Sequence, residues 1–102
     1  MQAIITENRE KIAELCRQHH VRRLSVFGSA VRDDFDPERS DVDLLVDFIR
    51  TPEIHYAANF FALQNSLQQL LHREVDLVID GSVDNSRLRT IISEEVQLLY
   101  AA

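Results

Sequence analysis

The sequence predicts a single domain of the α/β (α+β) class over residues 1–102, built from a small mixed β-sheet flanked by helices. Stretches with apolar residues three and four positions apart, typical of amphipathic helices, alternate with short β-prone apolar runs. The order of these elements is close to αβαβαβα. At 102 residues the chain is long enough for one hydrophobic core and too short for a second substrate domain.

Composition and charge narrow the classes of function. The chain is 45% hydrophobic and 27% charged, the balance of an ordinary folded globule. Its net charge of -6 disfavours a direct nucleic-acid partner and would attract a basic protein partner. No apolar run approaches the ~18 residues of a membrane span, and no signal peptide is evident, so we expect a cytoplasmic protein. Cys16 is the single cysteine and is predicted to be a core residue.

The first part of the chain predicts a helix, a strand and a loop. Thr6 is a plausible N-cap, and apolar residues at helical spacing predict a helix over residues 6–20. Residues 24–27 form a short β-prone run that is cut off by Gly28-Ser29. The polar segment 32–40 is predicted to be a loop.

The middle of the chain predicts a second strand and a long helix. Residues 42–48 read as a strand, and Thr51 with Pro52 and Glu53 supplies an N-cap, a first-turn proline and an early acid. The helix should end near His72. Its apolar stripe keeps to spacings of three and four: Phe60, Leu63, Leu67, Leu70 and Leu71.

The last part of the chain predicts a third strand over residues 74–79 and a final amphipathic helix from about Asn85. The turn between them contains Gly81. The stripe that predicts the final helix consists of Leu88, Ile91, Ile92, Val96 and Leu99.

Two of the predicted strands carry acids among apolar residues. Asp41 and Asp43 point to the same face, with Cα atoms about 6.6 Å apart at ~3.3 Å per residue, and Asp76 lies within the third strand. Carboxylates that close repel each other and are costly to desolvate unless a cation or hydrogen bonds compensate. Oxygen ligands suit Mg²⁺, and three carboxylates on adjoining strands can hold two divalent ions.

The pair Gly28-Ser29 adds a candidate phosphate site after the first strand. A glycine there lets the backbone approach a ligand, and a serine hydroxyl with exposed N–H groups can receive phosphate oxygens. A Gly-Ser pair that stands alone after a strand is more often a plain turn, and an isolated Asp in a strand is often an edge residue or a capping group. The P-loop alternative fails, because its glycine spacing and its lysine are missing.

Together these residues resemble the minimal nucleotidyltransferase (MNT) domain of the polymerase-beta-like superfamily, in particular the MNT antitoxins of HEPN/MNT toxin–antitoxin pairs. The resemblance rests on Gly28-Ser29, on the Ser-Asp-Val-Asp-Leu-Leu-Val run at 40–46, and on Val-Asp-Leu-Val at 75–78. It implies ATP as substrate, two Mg²⁺ ions, and transfer of AMP from ATP to a tyrosine of a HEPN ribonuclease toxin.

The resemblance also implies roles for single residues. Asp41 and Asp43 would bind both metal ions and, with Gly28 and Ser29, the nucleotide. Asp76 would complete the catalytic and metal site and act as the base for the acceptor hydroxyl. Asp47 is assigned to structure or solvent rather than to metal. The two loop arginines, Arg32 and Arg39, could contact phosphates, but a solvated surface role is favoured for each.

Two other functions remain open at this point. In the first, the acidic domain is a non-catalytic antitoxin that neutralises its toxin by stoichiometric binding. In the second, the enzyme transfers a nucleotide to a small molecule, which a dimer would have to grip because no further substrate domain is present. A homo-oligomer and a hetero-oligomer with the toxin both stay open.

Overall fold

A computed structural model of the chain describes residues 3–28, 41–52, 55–79 and 96–102, which hold three helices and four strands. The helices are α1 (Ala3–Thr6), α2 (Arg9–Gln18) and α3 (Tyr56–Leu71). The strands are β1 (Val21–Phe27), β2 (Val42–Phe48), β3 (Val75–Ile79) and β4 (Val96–Ala101). None of the helices in these ranges has the length and apolar character needed to cross a membrane.

The four strands form one mixed sheet in the order β3-β2-β1-β4. Strand β1 is antiparallel to both β2 and β4, whereas β2 and β3 are parallel. Parallel neighbours need a crossover connection, and α3 provides it between β2 and β3. The predicted mixed sheet with flanking helices is therefore confirmed, and β3 and β4 lie at its edges.

The hydrophobic core lies between the helices and one face of the sheet. Alternate residues of β2 starting at Val42 are buried, and those between them are half-buried on the opposite face. The prediction that Cys16 is a core residue is confirmed, because its side chain is fully buried. The fully buried core side chains are Ile5, Ile12, Cys16, Val21, Leu24, Val26, Val42, Leu44, Val46, Leu63, Leu67 and Leu71.

The predicted start of the first helix is wrong. Thr6 ends α1, and its Oγ1 donates a hydrogen bond to the carbonyl of Ala3 at 3.2 Å. Asn8 precedes α2 and donates from Nδ2 to the carbonyl of Ile4 at 2.8 Å. The physical reason is burial. Ile5 belongs to the hydrophobic core, so the residues before Thr6 pack against the core as the short helix α1.

The predicted start of the long helix is also wrong, but its predicted end is confirmed. Thr51 is not helical and Pro52 lies in a turn, and the helix begins only at Tyr56. Glu53 lies outside the described residues. This turn carries the chain from the sheet to the helical layer. At the other end, His72 adopts a left-handed conformation at φ 56° and caps the helix.

The predicted final helix is wrong over its last residues, because Val96–Ala101 forms β4 antiparallel to β1. Two members of the predicted stripe, Val96 and Leu99, lie in this strand. The other three lie outside the described residues: Leu88, Ile91 and Ile92. A short apolar run fits a helix or a strand by periodicity alone. A strand forms here because the backbone N–H and C=O groups on the side of β1 that faces away from β2 need hydrogen-bond partners. Strand β4 provides these partners.

Candidate active site

Gly28 follows the last residue of β1 at φ +72°, a left-handed conformation that glycine adopts without strain. A Cβ built on Gly28 would lie 3.3 Å from Asp43 Cγ and would overlap Asp43 Oδ2. The sequence predicted a close approach of this backbone to a ligand, and what the structure shows is contact with the Asp43 carboxylate. Ser29, the other member of the predicted phosphate site, lies outside the described residues.

Asp43 lies on β2, on the sheet face that points away from the helices. Its neighbours Val42 and Leu44 are buried in the core, while Asp43 itself is half-buried. Across the antiparallel pairing with β1, the residue opposite Asp43 is Phe27. The register of β1 and β2 therefore sets the carboxylate of Asp43 beside Gly28, which directly follows Phe27.

Asp76 lies on β3 directly opposite Asp43. The parallel register pairs these two aspartates with each other, between two pairs of core residues. Neighbouring strands are about 4.8 Å apart, and paired residues share a face, so both carboxylates lie side by side on the face of the sheet opposite the core. Asp76 is exposed and can be reached from solvent. The predicted pairing of the two acid-bearing strands is confirmed.

Asp41 is exposed and directly precedes β2, two positions before Asp43. Across the described ranges, no three His, Cys, Asp or Glu side chains form a cluster arranged to hold a metal ion. The fold thus pairs two of the three predicted carboxylates, Asp43 and Asp76, across neighbouring strands. The third, Asp41, lies directly before the first residue of β2.

The donor chemistry of these residues fits a hard divalent cation. The three side chains offer only carboxylate oxygens, which Mg²⁺ prefers over nitrogen or sulfur ligands. The paired carboxylates of Asp43 and Asp76 repel each other, and a cation between them would compensate. The exposure of Asp41 and Asp76 leaves access for the water and phosphate ligands that Mg²⁺ retains.

A small apolar cluster lies beside the paired aspartates on the same face of the sheet, opposite the core. Phe27 and Val78 are buried there, and Leu45 packs against them. This cluster was not predicted from the sequence. The available signal was the consecutive pair Leu77 and Val78, because adjacent apolar residues in a strand indicate burial on both faces. Apolar surface next to the carboxylates lowers the local dielectric and strengthens their electrostatic interactions.

Asp47 lies further along the same face of β2 and is held by an ion pair. Arg22 Nε donates to Asp47 Oδ2 at 2.8 Å. Asp47 was predicted to serve structure or solvent rather than metal, and its contact with Arg22 is a structural one. The two loop arginines of the sequence analysis, Arg32 and Arg39, lie outside the described residues.

Comparison with known proteins points to one family. A model of the nucleotidyltransferase domain matches residues 9–99, a range that contains every predicted site residue. The protein adenylyltransferase MntA of Thermococcus cleftensis is 35% identical to this chain over 96 residues, which cover 94% of this chain and 90% of the relative.

Solved structures share the fold. A candidate minimal nucleotidyltransferase superposes with a TM-score of 0.72 at 31% identity, with 88% of each chain covered. A complex of an MNT antitoxin with a tri-AMPylated HEPN toxin from Shewanella oneidensis gives a TM-score of 0.66 at 22% identity. That match covers 95% of this chain and 72% of the other chain and concerns the fold alone. From the family match and the shared fold, this chain belongs to the nucleotidyltransferase domain family.

Proposed function

We propose that this protein, as a single domain over residues 1–102, is a Mg²⁺-dependent protein adenylyltransferase. It would act as an antitoxin by transferring AMP from ATP to a tyrosine of a HEPN-family toxin. The observation that carries the proposal is the register of Asp43 opposite Asp76, with Gly28 in contact with Asp43. The MntA relative, a protein adenylyltransferase by name, and the complex with a tri-AMPylated HEPN toxin support the choice of reaction and partner.

The three aspartates would hold the metal ions in this proposal. Asp41 and Asp43 would bind both ions, and Asp76 would complete the site. When bound, two Mg²⁺ ions would supply neutralisation of phosphate charge and activation of the attacking oxygen. The fit rests on the oxygen-only donor set and on the exposure of Asp41 and Asp76, which leaves access for phosphate and water.

Gly28 and Ser29 would bind the triphosphate in the same scheme. Gly28 lacks a side chain at a point where its backbone already touches a metal-binding candidate, so phosphate oxygens can approach both groups together. The Ser29 hydroxyl would donate a hydrogen bond to one of these oxygens. Both residues therefore orient the nucleotide relative to Asp43.

Asp76 would act as the base. A tyrosine hydroxyl has a pKa of about 10, so it needs help to become a nucleophile near neutral pH. Asp76 is exposed at an edge of the sheet, where the hydroxyl of a second protein can reach it. Its carboxylate would take the hydroxyl proton while the tyrosine oxygen bonds to the α-phosphorus. The bond from that phosphorus to the bridging oxygen then breaks, and pyrophosphate leaves.

Transfer of α-³²P-labelled AMP tests the proposal. The protein is incubated with labelled ATP, Mg²⁺ and the proposed HEPN toxin partner, and label on the toxin is measured after gel separation. We expect label with the parent protein and none with Asp43→Asn. Asp47→Asn is the matched control, because it removes the same charge from the same face of β2 outside the site and should keep transfer.

A second candidate function is neutralisation of the toxin by binding alone, which the net charge of -6 favours if the toxin is basic. It predicts that a folded variant with asparagine at 41, 43 and 76 protects cells as well as the parent protein. Absence of label on the toxin, with protection retained in that variant, would replace the enzymatic proposal with this one.

A further inference from the structure

Strand β3, which carries Asp76, stands at one end of the sheet order among the described strands and pairs there with β2 on one side. In parallel strands the backbone groups of successive residues point alternately towards and away from the partner. The N–H of Val42 donates to the carbonyl of Glu74 at 3.1 Å, which sets this alternation. The N–H and C=O of Val75 therefore point outward, away from β2.

Two glutamines of α3 bind both outward-pointing groups of Val75. Gln64 Nε2 donates to the carbonyl of Val75 at 3.0 Å, and the N–H of Val75 donates to Gln68 Oε1 at 3.1 Å. The glutamines lie four residues apart, so they project from the same side of the helix. Both are half-buried. An amide nitrogen can donate to a carbonyl, and an amide oxygen can accept from an N–H. Gln64 uses its nitrogen and Gln68 uses its oxygen, as their partners require.

These bonds act one residue before Asp76. A shift of β3 by one residue would turn the Asp76 side chain to the opposite face of the sheet, away from Asp43. An edge strand is held against such a shift by pairing on one side alone, and the two glutamines supply contacts on the other side. They also tie β3 to α3, whose leucines are fixed in the core.

We propose that Gln64 and Gln68 are positioning residues that hold Asp76 in register with Asp43 and thereby set the affinity of the site for its divalent cation. The inference rests on the proposed function, because it takes Asp76 as a metal ligand. A purely structural role for the glutamines would lower stability and leave cation affinity unchanged. A positioning role changes cation affinity itself.

The test is Mn²⁺ binding, measured by electron paramagnetic resonance on the full chain without nucleotide. The double variant Gln64→Met/Gln68→Met keeps side-chain volume and loses both hydrogen bonds. We expect its Mn²⁺ affinity to fall by about 10- to 100-fold, the usual effect of removing groups that orient metal ligands. Thermal unfolding measured in parallel reports the effect on stability.

Asn59 offers a matched control on the same helix. Its Nδ2 donates to the carbonyl of His19 at 2.6 Å, a bond of the same kind at the other end of α3, away from β3. We expect Asn59→Leu to lower the unfolding temperature and to leave Mn²⁺ affinity unchanged. If Asn59→Leu and the double methionine variant weaken Mn²⁺ binding equally, the effect is general destabilisation and the inference is overturned.

A pair of glutamate variants separates hydrogen-bond geometry from side-chain loss. Gln68→Glu keeps an acceptor for the Val75 N–H, whereas Gln64→Glu removes the donor to the Val75 carbonyl. We expect Gln68→Glu to bind Mn²⁺ much more tightly than Gln64→Glu, although both add one negative charge. Equal affinities would overturn the inference, and this pair decides the matter if the double methionine variant does not fold.

Failure of the proposed function gives a different result. If the parent protein and Asp76→Asn bind Mn²⁺ equally, Asp76 is no metal ligand, and both the metal site and the inference fall. If Asp76→Asn weakens Mn²⁺ binding and the double methionine variant binds like the parent protein, the inference alone falls.

Discussion

Gly28 and Asp43 show how much of the candidate site can be predicted at the scale of single residues. Both were predicted as site residues because the glycine after a strand and the acids within strands occur together at the spacing of the minimal nucleotidyltransferase domain. Their direct contact could not be predicted. It depends on the pairing of Phe27 with Asp43, which is set by the register between strands that are distant in sequence.

Replacing Gly28 with alanine should destabilise the protein, because the new Cβ would overlap the Asp43 carboxylate at a positive φ. We expect a loss of about 1 to 3 kcal/mol in the free energy of unfolding, the range for a strained backbone position. Urea denaturation measures it. His20 is an exposed residue at φ 59° and serves as the control. His20→Gly relieves strain and should leave stability within about 1 kcal/mol of the parent protein. Equal losses of free energy of unfolding in Gly28→Ala and His20→Gly would contradict a clash between the new Cβ and the Asp43 carboxylate.

Cys16 should be chemically inert in the folded protein. Burial raises the pKa of its thiol from 9.0 to about 12, against a smaller opposing effect of Arg17. We therefore expect iodoacetamide to modify the unfolded chain at mildly alkaline pH and to leave the folded chain largely unmodified, as measured by mass spectrometry. Rapid modification of the folded protein would show that the thiol is accessible.

The same thiol should contribute to alkaline loss of stability. Its pKa is higher in the folded state, so its contribution is fully present below pH 9.0 and is lost as the pH rises towards about 12. Cys16→Ala removes this contribution. The difference in free energy of unfolding between the parent protein and Cys16→Ala should therefore shrink across that range, as measured by urea denaturation. If the difference in free energy of unfolding between the two proteins does not change with pH, the raised pKa of the Cys16 thiol is contradicted.

At the scale of elements, the predictions succeeded where the pattern fits one type of element and failed where it fits both a helix and a strand. The stripe of α3 and the bounds of β2 were predicted correctly, since each has a pattern that fits one type of element. The last residues were predicted as helix, because a spacing of three from Val96 to Leu99 fits a helix. The partner that makes this segment a strand is β1, far away in the sequence.

Two alanine variants distinguish strand β4 from the predicted helix. The helical stripe places both Val96 and Leu99 in the core, whereas in the strand Leu99 is 5% exposed and Val96 is 41% exposed. We expect Leu99→Ala to cost about 2 to 5 kcal/mol, as for a buried leucine. Val96→Ala should cost less than about 1 kcal/mol. Urea denaturation of both variants checks this, and similar large losses would favour the helix.

At the scale of the whole molecule, the two faces of the sheet serve different purposes. The helices cover one face and bury the core, while the paired aspartates lie on the other face. The chain carries a net charge of -6, and two adjacent carboxylates add local repulsion to this field. A divalent cation bound between the aspartates would therefore stabilise the folded chain and would have no comparable site in the unfolded chain.

Mg²⁺ should raise the unfolding temperature through this linkage. A ligand that binds only the folded state adds about 2.7 kcal/mol of stability at 100 times its Kd. We expect the parent protein to unfold at higher temperature with Mg²⁺ than in EDTA at matched ionic strength, and Asp43→Asn to lose this response. Asp47→Asn removes one negative charge as well, and it breaks the ion pair with Arg22. We expect this variant to unfold at lower temperature in EDTA and to keep the full rise in unfolding temperature with Mg²⁺. Because both variants change the net charge equally, a general effect of Mg²⁺ on an acidic surface would reduce both responses alike. Equal reductions would refute a specific cation site at Asp43. A smaller rise with Mg²⁺ in Asp43→Asn than in Asp47→Asn would support that site, because both variants lose one charge and differ in its position.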